Sequence, residues 1–98
     1  MDNSFFINNT IFIKSSHGMH YGICVDIDFD TVLLSDAAYF VYRGNDPNKF
    51  SPEYLSTHED NNFNIVAKLV PKLYVTDTKE IAKVDSSVTN YYANIFIK

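Results

Sequence analysis

The chain has 98 residues, a formal charge of −4, a hydrophobic fraction of 46% and an aromatic fraction of 15%, which together imply one ordered domain with one core and exclude a disordered chain. Cys24 is the single cysteine, so no intramolecular disulfide forms, and Arg43 is the single arginine, so with a net negative charge DNA-backbone binding is disfavoured. No apolar run reaches the ~18–20 residues that span a bilayer, and Met1-Asp-Asn-Ser-Phe-Phe lacks the basic start of a signal peptide, so a cytoplasmic setting without membrane contact is expected.

Residues 5–14 are rich in β-branched and aromatic types and end at the turn cluster Ser15-Ser-His-Gly18, which predicts an opening strand and a loop. Residues 19–29 follow as a strand. Tyr21, Ile23, Val25, Ile27 and Phe29 alternate there with Gly22, Cys24, Asp26 and Asp28, predicting one buried and one wetter face. Residues 28–30 turn the chain, 31–35 return, and 38–42 form a further short strand running into Arg43-Gly44. Residues 44–51 are turn chemistry. Ser51-Pro52-Glu53 then has the order of a helix start, with a Ser cap, Pro at the first position and an acid near the positive end, predicting one short helix near 52–57.

A polar loop at 57–62 leads to an apolar strand at 63–70, which Pro71 ends, and extended character resumes at 72–75. Residues 77–85 suit either a short helix or a strand, with strand preferred. The tail, 88–97, reads as extended. Its Ile95-Phe-Ile-Lys98 repeats Ile11-Phe-Ile-Lys14, so both ends are expected to be strands, paired with each other or across a homodimer. The expected architecture is a single domain over residues 1–98, mainly β, with about six to seven antiparallel strands in a small barrel or sheet and one short helix.

Asp26, Asp28 and Asp30 have the spacing of a calcium loop, but Thr31 stands where that loop needs Gly and Ala37 where it needs a bidentate Glu. A solvated acidic hairpin end is the expectation. His17 and His20 flank the turn at Gly18 without a third zinc ligand, since His58 lies far along the chain. Cys24 sits mid-strand with no third member of a nucleophile set, and Glu53 and Glu59 read as surface acids. Phosphate loops, nucleophile elbows and zinc-helix motifs do not occur. A protein without catalytic residues, metal or cofactor is expected.

Tyr39, Phe40, Val41, Tyr42 and Arg43 form an aromatic strand beside a Gly-Asn-Asp-Pro loop. Such a strand either offers a flat stacking surface with a cation beside it, or simply lines the barrel core with alternate members, Phe40 and Tyr42 or Tyr39 and Val41. Aromatics and Arg dominate binding hot spots, and loops on rigid scaffolds present them. The expected contact surface is therefore Tyr39, Tyr42, Arg43, Asn45, Asp46, Lys49 and Phe50.

Gly22, Asp28, Leu34 and Ala37 resemble the bent strand, acidic turn and Leu-x-x-Ala strand of Sm-like and other SH3-like barrels over about twenty residues. The Sm-like RNA site pairs a loop Asn with a later Arg-Gly. Residues 28–32 contain no Asn, and Arg43-Gly44 comes early. A broader resemblance, over 11–84, rests on Lys14, Gly18, Tyr21-Gly22, Val32-x-Leu34-x-x-Ala37, Tyr42 and Gly44. In these positions the chain is similar to a family of small uncharacterised tailed-phage proteins with an SH3-like pattern. Ala38 and Tyr39 stand where that pattern carries two basic residues.

The resemblance implies a phage protein acting in the host cytoplasm. It also implies a role in host takeover or counter-defence, and with no enzyme motif and this aromatic–Arg edge the expected action is stoichiometric inhibition of a host protein, such as a CRISPR or other defence component. Two alternatives are a sponge that sequesters a nucleotide immune signal between loops or at a dimer interface, and an Sm-like RNA binder.

Overall fold

The computed structural model describes residues 3–98, so Met1 and Asp2 of the expected 1–98 domain lie outside the described residues. Among the described residues, six antiparallel strands form one curled, barrel-like sheet: β1 (Thr10–Ser15), β2 (Gly18–Asp28), β3 (Thr31–Tyr42), β4 (Phe63–Val70), β5 (Leu73–Val75) and β6 (Thr78–Lys83). Two helices accompany them, α1 (Pro52–Leu55) and α2 (Thr89–Phe96). The order across the sheet is β4-β3-β2-β1-β6, with β5 pairing the first half of β3 and β4 the second. The fold is thus mainly β, the segment at 77–85 is a strand, and the short helix begins where its cap and proline place it. Ser51 Oγ accepts the Tyr54 N–H at 3.1 Å, and Pro52 opens the helix.

The expected opening strand is shorter than residues 5–14. A 3-10 turn occupies Asn3–Phe5, Asn8 takes φ 66°, and the Asn9 side-chain amide donates to the Phe5 carbonyl at 2.9 Å. Asn tolerates the left-handed region and bonds locally, so the Asn pair makes a turn that delays β1.

The expected alternation along β2 also breaks. Cys24 pairs with Leu34 and Asp26 with Leu33, which leaves Val25 as an extra residue. One added residue inverts a period of two. Before the bulge Tyr21 packs beneath α2; beyond it Ile27 turns to the opposite face with Cys24, and Val25 and Phe29 are exposed. β3 carries the matching device, because Asp36 and Ala37 together oppose Gly22 between the pairs Ser35↔Ile23 and Ala38↔Tyr21. Asp36 sits there at φ 50°. Hence Val32, Leu34 and Ala37 all face inward although their spacing changes from two to three, and the strands expected at 31–35 and 38–42 are one bent strand.

Two apolar clusters result. Inside the curl lie Ile11, Ile13, Cys24, Val32, Leu34, Ala37 and Val75. On the outer face, Phe12, Met19, Tyr21, Ala38, Phe40 and Phe63 are covered by Leu55 of α1 and by Val88, Tyr92 and Phe96 of α2 and its entry. Because Ile11 and Phe12 point to different clusters, β1 is buried on both faces.

The tail is a helix, and this overturns the extended reading of 88–97 and the strand pairing built on it. Val88, Tyr92 and Phe96 recur every four residues, with Tyr91 and Ile95 beside them, so an apolar stripe forms only on a helix. The β-favouring Val, Tyr and Ile composition is overridden by what the stripe buries. The Phe96 ring stacks on Tyr21 at 4.5 Å and on Phe63 at 5.4 Å, while Tyr92 meets Phe12 edge-on at 4.9 Å.

Candidate functional site

β3 ends at Tyr42, and the chain leaves the sheet through Arg43, Gly44 and a loop closed by the 3-10 turn Pro47–Lys49. The Asp46 carboxylate caps that turn, accepting the Asn48 N–H at 3.0 Å. The N–H groups of Lys49 and Phe50 bond back to the carbonyls of Asp46 and Pro47 at 3.0 and 3.2 Å. This returns Phe50 to the sheet, where its ring lies 5.5 Å from that of Tyr42 and the Lys14 ammonium sits 4.8 Å from its centre. At Gly44 an added Cβ would run into the Tyr42 ring, so a larger residue there would displace the ring from its present place.

The Tyr42 hydroxyl donates to Asp60 Oδ2 at 3.4 Å. Burial first, and then the Asp60 charge, raise its pKa, so it remains a protonated donor. Tyr42, Gly44, Asn45, Asp46, Pro47 and Phe50 line a groove of about 400 Å³. A smaller recess of about 190 Å³ continues from it, with Lys49, Asp60 and Asn62 joining Tyr42, Gly44, Asn45 and Asp46.

Five of the expected contact residues, Tyr42, Asn45, Asp46, Lys49 and Phe50, therefore converge on one concave surface. Arg43 is exposed next to it, held by its backbone N–H on the Asn62 carbonyl at 2.7 Å. Tyr39 does not join them. Three residues along a strand reverse the face, and the Tyr39 ring instead packs against His20 at 5.0 Å while its hydroxyl donates to the His17 carbonyl at 3.2 Å. Phe40 is core, and Val41 is exposed.

Sequence reasoning missed Asp60 and Asn62. Their loop is anchored by the Tyr92 hydroxyl, which accepts the Asp60 N–H at 3.1 Å and donates to the His58 carbonyl. The polarity of residues 57–62 was the only local signal, and it does not say which side chain reaches the groove. The assembled surface offers an aromatic wall, two amides, two carboxylates and one ammonium. That set suits a basic or amide-bearing side chain of a partner, with the rings contacting its apolar stem.

The other candidates stand apart. Asp26, Asp28 and Asp30 are exposed around the β2–β3 turn, and among the described residues no three His, Cys, Asp or Glu side chains are grouped to hold a metal. His17 Nε2 lies 3.4 Å from Thr76 Oγ1, whereas His20 is buried under Tyr39. Cys24 is fully buried, and burial first, then Asp26, push its thiol pKa up, away from the thiolate a nucleophile needs. Among the described residues no helix is long and apolar enough to cross a membrane. No family model, curated protein or solved structure matches the chain.

Proposed function

We propose that the chain is a small phage-type binding protein that acts without catalysis in the host cytoplasm, inhibiting a host defence factor by stoichiometrically covering one of its surfaces. The observation that carries this reading is the convergence of Tyr42, Asn45, Asp46, Lys49 and Phe50 on one groove with Arg43 exposed beside it. Aromatic anchors and an Arg on a rigid strand end are the residue types that dominate protein–protein binding energy. The carboxylates of Asp46 and Asp60 direct the groove toward a basic contact residue on the partner. For the same reason a nucleotide sponge is the weaker alternative, since two carboxylates and one lysine present a poor cradle for phosphate.

The test is capture of a host protein at one-to-one stoichiometry by the immobilised chain, repeated with the double variant Tyr42→Ala, Arg43→Ala. Wild type is expected to retain the partner and the variant to lose binding by about a hundredfold, as for loss of two hot-spot side chains. Undiminished capture by the double variant refutes the site. A melting-temperature rise with cyclic nucleotides, and no protein partner, would favour the sponge instead.

A further inference from the structure

The β2–β3 hairpin turns through Phe29 and Asp30, between the paired residues Asp28 and Thr31. Phe29 takes φ 58°, a left-handed conformation that two-residue hairpins normally assign to Gly, Asn or Asp. Its side chain is also 96% exposed. A bulky ring in a strained backbone position, bare to water, returns nothing to the fold of its own chain. Strained residues cluster at ligand clamps, active sites and switch regions.

At the foot of the ring, the end of the curled sheet opens into a groove of about 350 Å³ walled by Phe6, Ile27, Val32 and Ile81, with Phe29 itself forming one edge. Asp30 and Lys79 sit on its lip. The Lys79 ammonium bonds Asp77 at 3.1 Å, but both side chains are about half exposed, so the pair is weak and the lysine can exchange partners. One patch therefore carries a projecting aromatic, an apolar recess, an acid and a base. A surface holding both halves of each complementary pair matches itself across a two-fold axis, which is the requirement of a symmetric dimer interface.

We infer that a second copy of this chain docks here, each Phe29 filling the other's groove, with Asp30 of each copy facing Lys79 across the axis. This contact is independent of the groove at Tyr42. It does not use the tail, unlike the strand pairing that the helical tail removes.

Sedimentation velocity on the full chain over a wide concentration series tests it, with Phe29→Gly as the main variant. Wild type is expected to show a reversible monomer–dimer equilibrium, and Phe29→Gly to weaken it by about tenfold or more. Glycine suits the positive φ, so the variant monomer should melt no lower than the wild-type monomer, which separates lost association from lost folding. Asp30→Lys and Lys79→Asp should each weaken the dimer, and the double exchange should restore it. A wild-type chain that stays monomeric throughout overturns the inference, as does a dimer that Phe29→Gly leaves intact. A monomer whose groove is filled by a foreign protein also overturns it.

Discussion

His20 places a titratable ring where its charge cannot be solvated. It is 8% exposed, its Nδ1 has no hydrogen-bond partner among the described residues, and Tyr39 covers one ring face. Burial, and secondarily the nearby His17, lower its pKa from 6.5 to about 4. The folded form is therefore neutral where an unfolded chain would begin to protonate. Stability from this residue is complete above pH 6.5 and is lost as pH falls toward 4. With allowance for solvent screening, the loss amounts to roughly 2 kcal/mol. Urea unfolding of wild type and His20→Leu at neutral pH and near pH 4.5 isolates it, because carboxylate titration is common to both chains. Wild type is expected to lose more stability than the variant over this interval; equal losses would show that the ring finds its proton at no cost.

At the scale of elements, α2 behaves as a lid on the outer face of the sheet. Phe96 is fully buried against Tyr21, Phe40 and Phe63, while its neighbour Ile97 is 41% exposed. Phe96→Ala is expected to cost about 3–5 kcal/mol in urea unfolding, and Ile97→Ala no more than about 0.5 kcal/mol. Comparable losses would mean that the tail is not held as this helix. The sequence made most strands and α1 legible, since β-branched runs, Pro71 and the Ser51-Pro52 cap act over a few residues. The tail is less legible, because its residue types favour strands while its spacing of four favours a helix. Val-x-Leu-x-x-Ala was legible as a pattern, but its meaning was not. The break in spacing is the Asp36 bulge, and only pairing with Gly22 shows that the three apolar residues share a face.

Across the whole molecule, the two surfaces lie at opposite ends of β3. The Phe29 patch adjoins Thr31 and the Tyr42 groove begins at its last residue, and the two linings share no residue. Sites that share no partners act additively. Phe29→Gly is therefore expected to leave partner capture through the Tyr42 groove unchanged per chain, and Tyr42→Ala to leave self-association unchanged. Sedimentation and capture measured on both variants check this, and a change in the opposite readout would join the two surfaces into one.

The candidate groove divides in the same way. Tyr42, Asn45, Asp46, Lys49 and Phe50 were visible as an aromatic strand end and a turn-forming loop, because they are neighbours in the chain. Tyr39 is close to them in the chain but lies against His20 instead, since whether a strand residue faces the core or the loop depends on what packs on each face. Asp60, Asn62 and the Phe29 patch could not be found locally at all. The amino-acid sequence alone determined the β character, the turns and the capped helix, through backbone preferences and hydrogen bonds that act within a few residues. Tertiary structure decided the helical tail, the two bulges that set which side chains face inward, and the meeting of two loops at Tyr42, because each depends on burial against residues distant in the chain.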